Sequence, residues 1–190
     1  MNVAVIYGSN RSDRQGIKAA YFIVNNLKNK GFNVTLIDTK QNKLPFLDKM
    51  YKEYPKGKAP ETMEKIHQIL EQADGFVIVS GEYNHSISAV LKNLLDHFQQ
   101  EYYFKPSAIV SYSAGTFGGM RVAVHLRAVL AELGMSSIPT IFPVSAVQDS
   151  FDESGKALNE FYNKRVQRFI DEFKWYLFAY KKQRAIGVPY

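Results

Sequence analysis

The chain has 190 residues, of which 46% are hydrophobic and 22% are charged, and it contains no cysteine. A chain of this size and composition is typical of one globular domain, so we expect residues 1–190 to fold as a single unit. The lack of cysteine excludes disulfides, cysteine-ligated metals and thiol redox chemistry, so any redox function needs a bound cofactor.

The formal net charge of +6 raises the question of nucleic-acid binding. The one tight basic cluster, Lys181, Lys182 and Arg184, ends an amphipathic helix, where cations complement the helix dipole and are solvated. We therefore expect no nucleic-acid partner. The sequence has no apolar run of the roughly 20 residues that cross a membrane. Its N-terminus also lacks the basic region of a signal peptide, which predicts a cytoplasmic protein without a membrane partner.

Five short apolar runs predict five strands. They lie at residues 3–7, 34–37, 76–79, 108–110 and 138–142. The first, third and fourth runs are continuous rather than alternating, which is typical of parallel strands covered by helices on both faces.

Apolar residues at helical spacing predict a helix after each strand. The first four stripes are Ile17, Ala20, Val24 and Leu27; Met63, Ile66, Ile69, Leu70 and Ala73; Ile87, Val90, Leu91, Leu94, Leu95 and Phe98; and Val122, Leu126, Val129, Leu130 and Leu133. Gly31 and Gly134 follow the first and fourth stripes as helix ends, and Ser86 is the expected N-cap of the third. A last helix, at about 157–182, is rich in aromatic residues, which we interpret as core packing, with a dimer interface as the alternative.

The alternation of strands and helices predicts an α/β fold with a central parallel sheet. Ligands of such sheets bind at the carboxyl ends of the strands. The loops that follow Tyr7, Ser80 and Tyr112 are therefore the candidate binding segments.

The loop after the first strand has the composition of a phosphate-binding loop. It reads Gly8-Ser9-Asn10-Arg11-Ser12-Asp13-Arg14-Gln15-Gly16 and leads directly into the first helix. The N–H groups of a helix N-terminus, with hydroxyl, amide and guanidinium donors, suit a phosphate dianion. An ordinary polar turn is the alternative, which the two arginines disfavour. The motifs GxxxxGK[ST] and GxGxxG are absent, which disfavours ATP hydrolysis and Rossmann-type binding.

The other two loops carry groups that suit a flat heteroaromatic ring. The second, Gly81-Glu82-Tyr83-Asn84-His85-Ser86, offers an aromatic face and polar groups for the ring edge. The third, Ser113-Ala114-Gly115-Thr116-Phe117-Gly118-Gly119, has three glycines, which let backbone N–H groups approach a ligand closely. A helix-capping loop and a flexible turn are the respective alternatives. The three loops together predict a phosphate at one end and a planar ring at the other, which is the shape of FMN.

These motifs resemble those of the NADPH-dependent FMN reductases of flavodoxin-like fold, which include quinone, azo-dye and chromate reductases. The resemblance covers about residues 1–145 and rests on GSxRxxRxG, on EYNHS followed by LKNLLD, and on SYSAGTFGGMR. It implies a five-stranded parallel sheet of order 2-1-3-4-5, bound FMN and NADPH or NADH as hydride donor. It also implies a small-molecule acceptor, such as a quinone, azo compound, flavin or metal oxyanion, and a homodimer or homotetramer.

The resemblance further implies which residues hold FMN. Ser9, Arg11, Gln15 and Gly16 would bind its phosphate, Glu82, Tyr83, Asn84 and His85 would flank its ring, and Ser113, Ala114, Gly115 and Gly118 would meet its pyrimidine side. No side chain is expected to act as nucleophile or base, because the cofactor supplies the chemistry. Gly81 stands where the family usually has proline, from which we expect a mild change in cofactor affinity.

Three histidines, His67, His97 and His125, lie within helical patterns, and we interpret them as surface or interface residues rather than metal ligands. Two other functions stay open. The first is an FMN-bearing electron carrier or redox-sensing partner protein without nicotinamide-dependent activity, although such carriers are usually acidic and this chain is basic. The second is a flavin-free binding module.

Overall fold

A computed structural model describes all 190 residues and shows one sheet of five parallel strands. They are β1 (Asn2–Gly8), β2 (Asn33–Asp38), β3 (Gly75–Gly81), β4 (Pro106–Tyr112) and β5 (Ser136–Val144). Their spatial order is β2-β1-β3-β4-β5, and each neighbouring pair is parallel. Each predicted strand lies within one of the five, so the flavodoxin-like fold and its strand order are confirmed.

Helices cover both faces of the sheet. They are α1 (Gly16–Asn29), α2 (Glu61–Gln72), α3 (Ala89–Asp96), α4 (Met120–Glu132), α5 (Val147–Ser150) and α6 (Glu160–Ile186). Successive side chains of β1 belong to opposite cores: Val3 and Val5 pack with α1 and α6, whereas Ala4 and Ile6 pack with α2, α3 and α4. This two-sided burial explains why the inner strands read as continuous apolar runs.

Glycines end two helices where the sequence predicts them. Gly31 and Gly134 have φ angles of +84° and +79°, just beyond the ends of α1 and α4. This left-handed conformation is the usual one for the residue that follows a helix, and glycine adopts it without steric cost.

The start of α3 differs from the prediction. Ser86 is not its N-cap, because the backbone groups of Tyr83 and Ser86 bond to each other in a tight turn, with N–O distances of 2.9 Å. The helix begins two residues after Ile87, and the Ser88 hydroxyl accepts from Leu91 N at 3.3 Å. The same hydroxyl donates to the Gly8 carbonyl at 2.8 Å, which ties α3 to the end of β1.

Replacing Ser88 with alanine is therefore expected to lower the free energy of unfolding by about 1–2 kcal/mol, since an N-cap and a buried hydrogen bond are both lost. Ser86→Ala is the matched control, because the Ser86 hydroxyl contacts only the exposed ring of His125. Urea unfolding of the two variants measures the difference. An equal loss for both would contradict the assignment of the cap.

The long aromatic helix packs mainly into the core, as predicted, but it spans 160–186 rather than about 157–182. Its buried residues recur at helical spacing and are Tyr162, Val166, Phe169, Ile170, Phe173 and Leu177. Its end is not merely solvated: Lys181 Nζ and Arg184 Nη2 lie 3.0 and 3.4 Å from Asp74 Oδ1, just before β3. No helix of the structure has the length and apolar character of a membrane span.

Candidate functional site

The carboxyl ends of the strands surround a cavity of about 410 Å³. The parallel register brings these ends level, pairing Gly8 with Ser80 and Gly81 with Tyr112. The loops after β1, β3 and β4 therefore meet at one edge, and α5 closes the cavity beside them.

Eight of the twelve predicted site residues line this cavity. They are Ser9, Arg11, Gln15, Gly16, Glu82, Tyr83, Ser113 and Ala114. The other four, Asn84, His85, Gly115 and Gly118, belong to the same loops but do not line it. Six further lining residues lie outside the predicted set, namely Asp13, Arg14, Gly81, Tyr112, Val147 and Gln148.

The N-terminus of α1 is open to an anion. No side chain caps it, and its first turn contains no acidic residue. Its dipole and its free N–H groups face the loop that holds Ser9 and Arg11. Arg11 pairs with no carboxylate in the structure, so its guanidinium is available to a ligand.

Of the two arginines in this loop, Arg14 has an ionic partner and Arg11 has none. Both terminal nitrogens of Arg14 bond to the carboxylate of Asp38, at the end of β2, and Nη1 also donates to the Ser9 carbonyl at 3.0 Å. The hydrogen bonds that Arg14 donates to the Asp38 carboxylate raise the pKa of Arg14. Arg14 thus fixes the shape of the loop after β1, and Arg11 is the free cation of that loop.

The phenol ring of Tyr112 forms the floor of the cavity between two glycines. A Cβ atom at Gly16 would lie 2.1 Å from Cζ of Tyr112, and one at Gly81 would lie 2.9 Å from the same ring. Only glycine fits at either position without moving the ring. Gly81, which stands where the family usually has proline, therefore contacts the ring of Tyr112 directly.

Beneath the floor, Tyr112 Oη donates to Tyr7 Oη at 3.4 Å. Burial raises the pKa of Tyr7, and it raises the pKa of Tyr112 well above its ordinary value. Both phenols therefore stay protonated at neutral pH, and the floor carries no charge that would repel an anionic ligand.

In the second loop, a tight turn directs two predicted residues away from the cavity. Asn84 and His85 have φ angles of +49° and +64° at the centre of the turn that Tyr83 and Ser86 close. Positive φ at both central residues is typical of a type I′ turn. His85 consequently neither lines the cavity nor caps a helix.

Glu82 of the same loop lines the cavity and caps α4. Its carboxylate accepts from the backbone N–H groups of Arg121 and Val122, at 3.0 and 3.4 Å. The Arg121 guanidinium lies 3.7 Å from the other carboxylate oxygen. Glu82 therefore holds the second loop against α4.

The third loop presents unused N–H groups. The carbonyls of Ser113, Ala114, Gly115 and Thr116 accept hydrogen bonds from residues 145–148. The N–H groups of residues 114–116 donate to no group of the protein. Gly118 serves the packing of the loop, since its carbonyl accepts from Ser111 Oγ at 2.8 Å.

None of the four histidines lines the cavity. His67 Nδ1 lies 2.8 Å from Glu101 Oε1, and His125 Nδ1 lies 3.1 Å from Ser86 Oγ. The interpretation of His97 as a surface or interface residue is wrong. It is 1% exposed, because it follows α3 directly and its Nδ1 bonds back to a carbonyl of that helix at 2.7 Å.

The cavity fits FMN by size and by chemistry. Its volume lies within the range of about 300–1,000 Å³ that small-molecule sites occupy. One end offers a helix N-terminus and the free Arg11, as a phosphate requires. The lining also includes Ala114, whose free N–H group suits a carbonyl or ring nitrogen of a flavin. The two glycines against Tyr112 keep the space between these groups open.

Three of the lining residues outside the predicted set, Val147, Gln148 and Tyr112, could have been predicted from the sequence. Val147 and Gln148 follow β5, whose carboxyl end lies at the same edge as the three selected loops, so the same rule extends to them. Tyr112 is the last residue of β4, a position that also faces this edge. No sequence signal indicated that Arg14 pairs with Asp38.

Comparison with known proteins agrees with this site. A model of the family described as NADPH-dependent FMN reductase matches residues 1–149. An NAD(P)H-dependent FMN reductase of Pseudomonas aeruginosa is 32% identical over 115 residues, which are 57% of this chain and 62% of that protein, less than two thirds of its length. A 2-hydroxy-1,4-benzoquinone reductase of a Burkholderia species is 29% identical over 180 residues, 91% of this chain and 94% of that protein.

A solved structure shares the fold. FerB of Paracoccus denitrificans, a flavoenzyme NAD(P)H:(acceptor) oxidoreductase, aligns with a TM-score of 0.75 and 22% identity over 94% of this chain and 98% of that one. At this identity the likeness concerns the fold alone. The family match spans all five strands and every loop of the cavity, and it shows that the chain belongs to the NADPH-dependent FMN reductase family, as an oxidoreductase that uses FMN and a nicotinamide coenzyme.

Proposed function

We propose that this chain takes electrons from NADPH or NADH and delivers them, through FMN in the 410 Å³ cavity, to a small acceptor such as a quinone or an azo compound. The observation that carries the proposal is one cavity with an uncapped helix N-terminus and the unpaired Arg11 at one end, and with Ala114, whose backbone N–H is free, in its lining. The name of the Burkholderia relative, a benzoquinone reductase, supports a quinone as acceptor.

The proposal assigns a role to each end of the cavity. Ser9, Arg11, Gln15 and Gly16 hold the phosphate at the N-terminus of α1, where the helix dipole favours a dianion. When bound, FMN supplies the centre that accepts and releases two electrons. The free N–H group of Ala114, a lining residue, would stabilise the negative charge that collects on the flavin on reduction, without reorganisation.

The remaining predicted residues shape the site. Glu82 anchors the second loop to α4, and Asn84 and His85 form the turn that places Tyr83 at the cavity. Gly115 and Gly118 belong to the loop that supplies the N–H groups. No side chain needs to act as nucleophile or base in this scheme.

The direct test is an absorption spectrum followed by anaerobic titration. We expect the purified protein to carry FMN, NADPH or NADH to bleach its visible absorption, and a quinone to restore it. Bound flavin that neither nicotinamide bleaches would instead indicate an electron carrier. A colourless protein that takes up no FMN would indicate a flavin-free binding module.

We further propose that the protein works in the cytoplasm as a homodimer or homotetramer. Exposed apolar side chains of the second and third loops and of α4 support an assembly: Tyr83, Phe117, Met120 and Val124 are 36%, 70%, 43% and 65% exposed. Such a patch is typical of a protein interface. Sedimentation velocity is expected to show a dimer or tetramer, and Val124→Lys, on the exposed face of α4, is expected to weaken it. A wild-type monomer at micromolar concentration would contradict this.

A further inference from the structure

The outer face of α6 carries exposed aromatic side chains. Trp175 and Phe178 are 66% and 56% exposed, although both are large and apolar. A shallow hollow runs along this face, and every residue that lines it belongs to α6, namely Asp171, Lys174, Trp175, Phe178, Ala179 and Lys182. No other element of the chain therefore covers this face.

Four residues form the centre of the face and are called the α6 stripe below. They are Asp171, Trp175, Phe178 and Lys182, spaced by four, three and four positions. Residues three or four apart lie one above another on a helix, and this alternating spacing is the one along which two helices pair in a coiled coil. The stripe thus has the pattern of a helix-pairing surface.

The α6 stripe is complementary to itself when two helices run antiparallel. About a two-fold axis midway between Trp175 and Phe178, the Trp175 of each copy lies level with the Phe178 of the other. The same axis brings the Asp171 of each copy level with the Lys182 of the other, because both are equally far from it along the helix. A two-fold interface makes each contact twice. Two aromatic pairs would therefore be flanked by two ion pairs.

The charges of the stripe select the antiparallel direction. Parallel helices would place Asp171 against Asp171 and Lys182 against Lys182, and like charges repel. In the antiparallel pair both ionic groups are available. Lys30 bonds to only one oxygen of the Asp171 carboxylate, Oδ1, at 2.9 Å, and Lys182 takes part in no ion pair of its own chain.

The stripe lies at the edge of the sheet that is opposite the cavity. Leu177, inside the stripe in sequence, packs against Gly75, where a Cβ would lie 2.5 Å from Leu177 Cδ2. Gly75 is the first residue of β3, whereas the cavity lies at the carboxyl ends of the strands. Pairing through the stripe therefore leaves the cavity of each copy open.

We propose that two copies of this chain pair through the α6 stripe, antiparallel and about a two-fold axis. The charges favour a second copy over a membrane surface, because a helix that lies on a bilayer is rich in lysine and arginine beside its apolar face, whereas this face includes the carboxylate of Asp171. The inference goes beyond the proposed function and concerns a surface separate from the patch that includes Val124.

The area of the stripe indicates a reversible pair. A buried aromatic side chain covers about 150–250 Å², so four rings that start about half to two thirds exposed would bury roughly 500 Å². Stable interfaces bury about 1,200 Å² or more in total, and smaller ones are transient. We therefore expect association through the stripe to depend on protein concentration.

Sedimentation velocity tests the pairing with two matched variants of the same helix. Phe178→Asp places a carboxylate against Trp175. Phe161→Asp is the control, because Phe161 is also 56% exposed and lies on α6 but outside the stripe. At high concentration we expect Phe178→Asp to halve the mass of the wild-type assembly and Phe161→Asp to preserve it. Trp175 is the only tryptophan of the chain, so its emission should shift to shorter wavelength as the pair forms.

The same two variants are also made in a Val124→Lys background, which is expected to weaken the separate contact through α4. There the wild-type stripe should still give a dimer, and Phe178→Asp should give a monomer. The α6 pair is thereby tested whether or not the α4 patch associates, and the bleaching of bound flavin by nicotinamide tests the proposed function independently of both.

A charge swap tests the ion pairs. Asp171→Lys should weaken association about tenfold or more, because two cations then oppose each other at each end of the stripe. Adding Lys182→Asp reverses both charges and should restore association. Within one chain the two residues are eleven positions apart and make no contact, so a purely intramolecular role would not be rescued in this way.

Cysteine cross-linking tests the direction, and the chain has no cysteine of its own to interfere. Under oxidation, Asp171→Cys and Lys182→Cys in the same chain should give a covalent dimer, whereas each single variant should stay uncrosslinked. Covalent dimers of the single variants would indicate parallel helices and overturn the proposed arrangement.

Equal assembly states of Phe178→Asp and Phe161→Asp in both backgrounds would overturn the pairing itself. Co-sedimentation of the wild type with vesicles of anionic phospholipid would then indicate that a membrane surface covers this face. If Val124→Lys changes the assembly state and Phe178→Asp does not, the α4 contact stands and the α6 pair fails.

Discussion

Gly16→Ala is expected to weaken FMN binding about a hundredfold, to the point where the protein purifies without flavin. The new Cβ would lie 2.1 Å from Cζ of Tyr112. The ring cannot retreat freely, because Gly81 packs against it at a distance that leaves no room for a Cβ either. Overpacking of this kind costs about 1–3 kcal/mol, and here the backbone that yields is the first turn of α1, where we propose that the phosphate of FMN binds.

A double variant separates this clash from other causes. Tyr112→Leu removes most of the ring, so Gly16→Ala in that background should cost much less FMN affinity than it does alone. Fluorescence quenching of FMN by the apoproteins gives the four dissociation constants. If Gly16→Ala loses the same affinity in both backgrounds, contact with Tyr112 is not the reason for glycine at this position.

Arg14→Ala is expected to lower the free energy of unfolding by about 3 kcal/mol, within the range for removing one partner of a buried ion pair. The Arg14 side chain is 12% exposed and that of Asp38 is 2% exposed, so the variant leaves a carboxylate buried without its cation. Urea unfolding measures the loss. Arg14→Ala combined with Asp38→Asn should recover part of it, since no unpaired charge then remains.

Arg11→Ala, three residues away, is expected to leave the stability of the protein nearly unchanged and to lower its affinity for FMN. Arg11 is exposed and pairs with no carboxylate, so stability should change by less than about 0.5 kcal/mol. FMN affinity should fall about tenfold or more, because a charged hydrogen bond to phosphate is lost, and affinity for riboflavin, which has no phosphate, should stay the same. Equal stability losses in the two arginine variants would contradict the division of roles.

Most of the fold was predictable because its signals are local. A parallel sheet buried on both faces needs continuous apolar strands, and the helices that cover it need apolar stripes at helical spacing. Both patterns are legible within a dozen residues. The rule that ligands bind at the carboxyl ends of the strands then selected three loops, all of which line the cavity.

Errors arose where two local signals competed. Ser86 precedes the apolar stripe that begins at Ile87 and was the expected N-cap, whereas Ser88, a residue of the same type, lies within that stripe. The turn between Tyr83 and Ser86 uses the backbone of Ser86, and this left Ser88 to cap the helix. The same turn carried Asn84 and His85 away from the cavity, in a loop whose first three residues, Gly81, Glu82 and Tyr83, line it.

The sequence by itself determined the α/β class, the parallel sheet, the phosphate loop and the resemblance to an FMN reductase, since each depends on residues that are close together in the chain. Only the tertiary structure decided which arginine is free, because the partner of Arg14 is 24 positions away, at the end of another strand. It also decided that the ring of Tyr112 lies between Gly16 and Gly81. Contacts of this kind form because the sheet aligns the ends of strands that are distant in sequence. The spacing of residue types along the chain does not indicate which side chains then come into contact.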